Sequence, residues 1–293
     1  MDHQLVDIRD LNAVRQSVRK FRPEIVFHLA AQALVRPSYD SPADTFSTNV
    51  QGTVHVLEAA RKTDSVRVVV TVTTDKVYRN EEKGLPFQED DPLGGRDPYS
   101  ASKAAAEMAI NSYRESFFRS SGVALAAARA GNVIGGGDWS KDRILPDAVR
   151  AWGRGDTLVV RNPEATRPWQ HVLEPLAAYL RLAEALHGNP ATAGDYNFGP
   201  NPSENVKVRQ VVEMAKEAFG SGRVEWGQGT SGPHEAKNLC LDNGKAVRVL
   251  GVSPIWSLNE AVNRTMRWYR RHLAGEKAAQ LCREDLGAFT SAP

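Results

Sequence analysis

Val66-Arg-Val-Val-Val-Thr-Val72 is a short, apolar and β-branched run that leads directly into the polar residues Thr73-Thr-Asp75. A run of this length and composition predicts a buried strand of a parallel sheet. Similar runs occur at residues 25–29 and 123–129. Because these runs alternate with longer segments of helical spacing, the sequence predicts βαβ units and an α/β fold with a doubly wound parallel sheet.

The helical segments are recognised by apolar spacing and by capping residues. Ser41 and Pro42 predict a helix start, with Ser41 as the N-cap and proline at the first helical position. Helices are predicted at residues 11–21, from 42 onward, and at 98–118, 145–152, 172–186 and 208–219. The stretch after Gly275 is polar, and we expect it to be frayed.

The pattern of strands and helices loosens after Gly131 into loops rich in glycine and proline. We therefore expect residues 1–130 to form a partial dinucleotide-binding domain. Residues 131–293 should form mainly a smaller substrate-binding region, with elements that return to the sheet.

A glycine-rich phosphate loop is not found before the strand predicted at residues 25–29. A doubly wound dinucleotide fold opens with such a loop, and one βαβ unit needs roughly 30 residues. Gly135-Gly-Gly137 is no substitute, because it leads into a loop instead of a helix. We expect an N-terminally incomplete, Rossmann-like sheet, an exposed strand edge, weak NAD binding and no turnover by the isolated chain.

Composition excludes several classes of protein. Lysine and arginine total 37 against 35 acidic residues, and no segment concentrates the basic ones, so we expect no nucleic-acid partner. No run approaches the ~18 apolar residues of a membrane span, and the first residues lack an apolar signal segment. We therefore expect no membrane association and a cytoplasmic location. Cys240 and Cys282 lie far apart, so neither a disulfide framework nor a metal site is indicated.

The most specific chemical signal is Tyr99-Ser-Ala-Ser-Lys103, at the start of a predicted helix. Tyrosine and lysine four residues apart share one helical face. A lysine ammonium beside a phenol stabilises the phenolate, which lowers the tyrosine pKa as a general base requires. Thr74, at the end of the preceding strand, would add a hydroxyl at the same substrate oxygen. A lone Tyr-x-x-x-Lys is more often an exposed helix start, but the strand-end threonine and the βαβ setting favour a catalytic role.

These residues resemble the extended short-chain dehydrogenase/reductase family, whose matching Ser/Thr, Tyr and Lys carry out hydride transfer with NAD(P). The resemblance continues in Val6-Asp-Ile-Arg9, where the family's aspartate meets the adenine, and in His28-Leu-Ala-Ala31, on the nicotinamide side. Asn49 matches a family asparagine that ties a helix to the sheet. The resemblance implies that NAD is the cofactor and that it contacts Asp7, Ile8, Leu29, Ala30, Ala31, Tyr99 and Lys103.

Within that family, Thr74-Asp-Lys76 resembles the acid pair of the sugar-nucleotide 4,6-dehydratases, with lysine where the thymidine-linked enzymes carry glutamate. The Asp-Lys version is similar to the members that act on CDP-glucose. Further matching segments occur at residues 34–39, 131–139, 161–163, 167–175 and 234–236, so the resemblance runs from about residue 6 to about residue 269.

The resemblance implies dehydration of a nucleotide-activated hexose, CDP-glucose, to its 4-keto-6-deoxy form. Oxidation at C4 by transient hydride transfer to bound NAD acidifies the C5 proton. A base then removes that proton, an acid protonates the departing 6-hydroxyl, and the hydride returns to C6. Tyr99 would be the base at the 4-hydroxyl, and Asp75 and Lys76 would supply an acid and a base. The implied catalytic set is Thr74, Asp75, Lys76, Tyr99 and Lys103.

A nucleotide diphosphate requires cations and hydrogen-bond donors, and arginine grips phosphate with two parallel hydrogen bonds. By resemblance, Asn132 and Arg167 are the better diphosphate candidates. The full substrate-binding set is Arg36, Asn132, Arg143, Arg161, Arg167 and His234. Trp139 and Trp169 could stack on a base or sugar, although core packing explains them equally well.

Two alternatives remain open. A nucleotide-sugar epimerase or reductase would share the fold, but its reaction has no elimination step that requires a second acid/base pair such as Asp75 and Lys76. The other alternative is a non-catalytic remnant of the family that binds a ligand but catalyses no reaction. We also expect a homo-oligomer.

Overall fold

The computed structural model describes residues 2–229 and 236–292. The strands are β1 Ile25–His28, β2 Val68–Val72, β3 Ala124–Ala130, β4 Val133–Ile134, β5 Thr157–Val160, β6 Thr166–Arg167, β7 Gln170–His171, β8 Asp195–Phe198, β9 Val206–Lys207 and β10 Arg223–Trp226. The helices are α1 Leu11–Phe21, α2 Val35–Asp40, α3 Pro42–Phe46, α4 Gly52–Arg61, α5 Pro98–Tyr113, α6 Arg119–Ser121, α7 Ile144–Gly153, α8 Leu173–Gly188, α9 Val208–Phe219, α10 Gly244–Leu250, α11 Leu258–Leu273 and α12 Ala278–Thr290. π-Helical turns at Ser47–Gln51 and Arg114–Phe118 join α3 to α4 and α5 to α6.

The central sheet is parallel and has the strand order β1-β2-β3-β8. Every side chain of β3 is buried, as are nearly all of β2, because helices cover both faces. The predicted α/β fold with a parallel sheet is confirmed. The prediction that β1 is fully buried is wrong, since Ile25 and Phe27 are each 37% exposed. Among the described strands β1 pairs with β2 alone, so it lies at the edge of the sheet.

The part of the chain after residue 130 builds a second, irregular layer and also contributes to the central sheet. Its own core packs α7, α9 and α11 around side chains such as Trp152, Val212 and Met266. Meanwhile β8 pairs with β3, and α8 and α10 pack against the same sheet. A division into domains at residue 130 stays a prediction.

Two helix predictions need correction. The prediction of frayed chain after Gly275 is wrong, because α12 forms there, with Leu281 and Phe289 buried. The Phe289 ring packs edge-on against Trp256, so tertiary contacts stabilise a helix whose local sequence is unremarkably polar. Ser41 is the N-cap residue of α3 and Pro42 opens that helix, as predicted, but the Ser41 side chain makes no capping hydrogen bond. Among the described residues, none of the helices combines the length and apolarity needed to span a bilayer.

Two buried histidines should make the fold sensitive to acid. His28, at the end of β1, contacts Thr53 Oγ1 through Nε2 at 2.9 Å, and His171 lies in β7. Burial lowers the pKa of each from 6.5 to about 4, with nearby cations, Lys103 and Arg264 respectively, acting in the same direction. Both rings are therefore neutral in the folded protein, whereas the unfolded chain takes up protons below pH 6.5.

Stability should accordingly fall as the pH drops from 6.5 towards 4. Between pH 7 and pH 5 we expect each histidine to remove about 2 kcal/mol from the free energy of unfolding. Urea unfolding at a series of pH values measures this loss. The His28→Gln variant should show a shallower slope, and an unchanged slope would contradict the role of His28.

Candidate active site

A cavity of about 500 Å³ opens at the carboxyl ends of β2 and β3, facing the irregular layer. The carboxyl ends of parallel strands are where ligands bind in open α/β sheets. The structure brings nine predicted site residues into its lining: Thr74, Asp75, Lys76, Tyr99, Arg36, Asn132, Arg143, Arg161 and Arg167. Lys103 lies one helical turn behind Tyr99, and His234 lies outside the described residues.

The first turn of α5 fixes Tyr99 at the floor of the cavity. Asp97 and Ser100 form a reciprocal cap, in which the Ser100 amide donates to Asp97 Oδ1 at 2.9 Å and the Asp97 amide donates to Ser100 Oγ at 3.2 Å. The Tyr99 amide donates to Ser38 Oγ of α2 at 3.1 Å. The free N–H groups of the helix start are thus satisfied, and Tyr99 is held in place from both sides.

The electrostatics of Tyr99 and Lys103 differ from the sequence-based prediction. Burial raises the pKa of Tyr99 to about 12, although a hydrogen bond with Thr74 acts in the opposite direction. Lys103 Nζ donates to the Val72 carbonyl oxygen at 3.0 Å, and burial lowers the pKa of this lysine to about 8. The predicted lowering of the tyrosine pKa by Lys103 is therefore wrong for the free protein, because desolvation of the phenol dominates. Tyr99 keeps its proton at neutral pH.

Thr74, Asp75 and Lys76 form a compact polar turn after β2. Thr74 Oγ1 donates to Asp75 Oδ1 at 3.0 Å, and Lys76 Nζ lies 3.9 Å from the same oxygen. The Asp75 side chain is only 1% exposed, so this is not a surface ion pair. The other carboxylate oxygen, Oδ2, is buried without a hydrogen-bond partner. An acidic and a basic group therefore lie side by side against the cavity, and one carboxylate oxygen has no hydrogen-bond partner in the described part of the chain.

Glu107 and Arg129 support this turn from behind, and sequence reasoning missed both. Glu107 accepts a hydrogen bond from Thr73 Oγ1 at 2.5 Å and two from Arg129, from Nε and Nη2, both at 3.0 Å. Both side chains are 2% exposed. The one available signal was position, because Glu107 follows Lys103 by four residues and shares its helical face.

The cavity arginines reach the site from both halves of the chain. Arg36 Nε lies 3.4 Å from Asp142 Oδ1, and Arg161 Nη1 donates to that same oxygen at 3.1 Å. Arg143 Nε lies 3.6 Å from Asp138 Oδ2. Arg167 donates through Nη1 to the carbonyl oxygens of Thr166 and Lys237. Sequence reasoning missed both aspartates. Asp142 contacts segments that lie far from it in the chain, whereas Asp138 and Arg143 belong to the same loop between β4 and α7.

Buried polar atoms without hydrogen-bond partners are concentrated at this cavity. They include Arg36 Nε, Arg143 Nε, Asn132 Oδ1 and Asp75 Oδ2. Orphaned buried groups are rare in folded proteins, and each calls for an explanation. Here donors from arginine and acceptors from Asn132 and Asp75 line one space, which suits a ligand that carries both anionic oxygens and hydroxyl groups.

The residues predicted to hold NAD lie in two places, after β1 and before α1. Leu29 is 49% exposed directly after β1, next to Ala30 and Ala31, and so offers an apolar surface near the Tyr99 end of the sheet. Asp7 lies beside Ile8 with a half-exposed carboxylate that Arg9 grips through Nε and Nη2, which lowers the Asp7 pKa to about 2.

The described residues include no cradle for the cofactor's pyrophosphate. The Asp10 carboxylate caps the start of α1 and accepts from the amides of Asn12 and Ala13, so that helix end is not free for a phosphate. Gly136 does not serve either, because a Cβ there would lie 2.1 Å from the Trp268 ring, which shows close packing. Weak NAD binding by the isolated chain stays a prediction, which calorimetry can test.

Three other predicted residues differ in their surroundings. Trp169 lines the cavity and is 4% exposed, whereas Trp139 is 44% exposed and packs edge-on against Tyr269 outside it. Asn49 is buried, and its Nδ2 donates to the Gln32 carbonyl oxygen and to Ser102 Oγ. Asn49 thus ties the chain after β1 to α5, as the resemblance implied.

Comparison with known proteins identifies relatives across most of the chain. Residues 2–265 match the model of the GDP-mannose 4,6 dehydratase family. A CDP-glucose 4,6-dehydratase of Salmonella typhimurium is 42% identical over 100% of this chain and 83% of its own length. A UDP-glucose 4-epimerase of Mycolicibacterium smegmatis is 30% identical over 86% of this chain and 77% of its own length. The solved structure of MoeE5 with UDP-glucuronic acid and NAD has a TM-score of 0.78 and 26% identity, and the match covers 90% of this chain and 84% of that one.

Proposed function

Because the chain belongs to the GDP-mannose 4,6-dehydratase family, we propose that it is an NAD-dependent nucleotide-sugar 4,6-dehydratase that acts on CDP-glucose. The resemblance to the sugar-nucleotide dehydratases is thereby confirmed at the level of the family. The observation that carries the proposal is the Asp75–Lys76 pair beside Thr74 and Tyr99 in one cavity. An epimerase or reductase needs no such second pair, and the 42% identity to a CDP-glucose 4,6-dehydratase favours the same substrate.

The first half of the reaction requires a base at the sugar 4-hydroxyl. Bound NAD would accept a hydride from C4 and later return it to C6. Tyr99 would take the hydroxyl proton, and Thr74, which already hydrogen-bonds to the phenol, would hold the same oxygen. Since burial keeps Tyr99 protonated in the free protein, its proton must be lost as the site fills. Lys103, whose pKa burial lowers to about 8, lies four residues further along the same helical face.

The second half is the loss of water across C5 and C6. The 4-ketone acidifies the C5 proton, so a base can remove it while an acid protonates the departing 6-hydroxyl. Asp75 and Lys76 present one acidic and one basic group within 3.9 Å of each other. Because the proton from C5 and the hydroxyl from C6 leave as water, the sugar loses one water in total and NAD is not consumed.

The substrate diphosphate would lie among the cavity arginines and Asn132. Arg36, Arg143, Arg161 and Arg167 supply the positive charge, and in the part of the chain that the structure describes Arg36 Nε and Arg143 Nε have no hydrogen-bond acceptor. A contribution from His234, a homo-oligomeric state and a cytoplasmic location stay predictions.

The decisive experiment is isotopic. Because the isolated chain is expected to bind NAD weakly, the experiment uses a form extended at its N-terminus by a glycine-rich phosphate loop and loaded with NAD. CDP-glucose carrying deuterium at C4 is incubated with this form, and the sugar nucleotide is analysed by mass spectrometry and NMR. We expect a product that is lighter by one water and carries the deuterium at C6. An isomer of unchanged mass would indicate an epimerase, and unaltered substrate would support the non-catalytic alternative.

In the same loop-extended, NAD-loaded form, replacing Lys76 with alanine should separate the two halves of the reaction. Oxidation at C4 needs Tyr99 and Thr74, which remain, whereas elimination loses one of its two proton-transfer groups. We expect loss of the dehydrated product by about 10²–10⁴-fold, with 4-ketohexose detectable in rapidly quenched mixtures. The exposed Lys62→Ala variant serves as the matched control. Normal dehydration by Lys76→Ala would remove that lysine from the mechanism.

A further inference from the structure

Asp142 has an unusual position in the cavity, because a single carboxylate oxygen serves two arginines from different parts of the chain. Oδ1 accepts a hydrogen bond from Arg161 Nη1 at 3.1 Å and lies 3.4 Å from Arg36 Nε. Arg36 belongs to α2, beside the central sheet, and Arg161 follows β5 in the irregular layer. The aspartate thus joins the two walls of the cavity.

The contact between Asp142 and Arg36 is incomplete. Arg36 Nε is within ion-pair distance of the carboxylate but is not aligned for a hydrogen bond, and this buried N–H has no hydrogen-bond partner among residues 2–229 and 236–292. Asp142 therefore leaves at least this one donor of the group of three residues unsatisfied.

The backbone at Asp142 holds the carboxylate in this place at a conformational cost. Its φ is +61°, in the left-handed region, which residues other than glycine adopt rarely and which aspartate and asparagine tolerate best. The three side chains are each between 33% and 39% exposed, so a ligand in the cavity can reach them. A strained, accessible and partly satisfied contact is one that a better anion can displace.

We propose that the Asp142 carboxylate occupies, in the free protein, the position that the substrate diphosphate takes on binding, so that Asp142 is an internal competitor that sets the affinity for nucleotide diphosphates. The inference rests on the proposed function, because it assigns the diphosphate to Arg36 and Arg161. A diphosphate offers two anionic groups with in-plane oxygens, one for each guanidinium, and can supply the hydrogen bond that Arg36 Nε lacks. Binding then exchanges two weak contacts for two stronger ones and releases the strained loop from both walls.

The test is the affinity of the purified chain for CDP, CMP and cytidine, measured by calorimetry without NAD or turnover. In Asp142→Asn the side-chain shape and the tolerance of left-handed backbone remain, but the competing charge is lost. Since partly exposed ion pairs are individually weak, removal of two should tighten CDP binding by about tenfold and CMP binding by about threefold, and leave cytidine unchanged. The gain for CDP should also shrink as salt is raised.

Two further variants serve as controls for this interpretation. Asp142→Gly also accepts the left-handed backbone, and it should shift CDP affinity in the same direction. Asp156→Asn, at an exposed aspartate outside the cavity, should leave all three affinities unchanged. Weaker CDP binding by both Asp142 variants would overturn the proposal, because it would mean that the carboxylate positions the arginines instead of competing for them. Equal affinities in wild type and variants would overturn it as well.

The effect of the Asp142 variants on CDP affinity can be distinguished from a failure of the proposed function. If the wild type turns over no CDP-glucose but Asp142→Asn binds CDP more tightly, the competing role of Asp142 is supported and the dehydratase assignment is wrong. If the dehydratase is active and CDP affinity does not respond to Asp142, the reverse holds. If neither wild type nor variant binds CDP, the diphosphate site itself is wrong, and the proposal falls with it.

Discussion

In a form of the chain that carries a glycine-rich phosphate loop and binds NAD, replacing Tyr99 with phenylalanine should lower the rate of 4-keto-6-deoxy sugar formation by about 10²–10⁴-fold, because it removes the group that takes the 4-hydroxyl proton. The ring fills the same buried space, and the amide contact with Ser38 is kept, so the cavity should retain its shape. Binding of CDP-glucose should therefore change little. Single-turnover formation of product, together with calorimetric titration of CDP-glucose, measures both quantities.

The matched control is Tyr113→Phe. Tyr113 lies on the same helix, and its hydroxyl contacts Glu58 at 3.5 Å, away from the cavity. This variant should keep the wild-type rate. A Tyr99→Phe protein that forms product at the wild-type rate would remove the tyrosine from the mechanism, and loss of substrate binding would point to a misfolded cavity instead.

Replacing Arg129 with methionine should be among the most destabilising single changes in the protein. The arginine is 1% exposed and binds the Glu107 carboxylate, Asp195 Oδ2, the Tyr78 hydroxyl and the Glu89 carbonyl oxygen. Methionine fills a similar volume, but it leaves the Glu107 charge buried and without its counter-ion. We expect a loss of about 3–5 kcal/mol in the free energy of unfolding, measured by urea denaturation.

A double-mutant cycle with Glu107→Gln tests the cause. Removal of the buried charge in Glu107→Gln/Arg129→Met should recover part of the stability, because replacing both members of a buried pair costs less than removing one. Glutamine can still accept the hydrogen bond from Thr73. Additive losses in the two single variants would show that packing, and not the unpaired charge, determines the effect.

Elements with signals at both ends could be predicted from the sequence. Helices α1 and α9 begin and end where predicted, because Asp10 caps the first and Gly220, at φ +85°, ends the second. Helix α12 carries no comparable signal, and its stability depends on contacts with other helices, such as that of Phe289 with Trp256. The exposure of β1 likewise depends on which strands lie beside it, which its own residues do not encode.

The residues of the candidate site likewise include some that the sequence predicts and some that it does not. Thr74, Tyr99 and Lys103 could be recognised because their chemistry is expressed in short spacings on one strand end and one helix. Other contacts join segments that are distant in the chain, so short spacings do not predict them. They are the contacts of Asp142 with Arg36 and Arg161, and those of Glu107 with Thr73 and Arg129. The protonation of Tyr99 was predicted wrongly for a related reason, since desolvation depends on all the atoms packed around the phenol.

The return of the chain to the sheet through β8 makes the stability of the substrate-binding layer inseparable from that of the sheet. Asp195 of β8 pairs with Arg114 and Arg129, which precede the irregular layer in sequence. Asn197, on the same strand, accepts from the Tyr78 hydroxyl and donates through Nδ2 to the Phe87 carbonyl oxygen. Without β8, Arg114 and Arg129 would lose the Asp195 counter-charge, and the Tyr78 hydroxyl would lose the acceptor on Asn197. A destabilising substitution in the core of either half therefore lowers the free energy of unfolding of the whole protein. A change of substrate specificity in one half also changes the folded fraction of both.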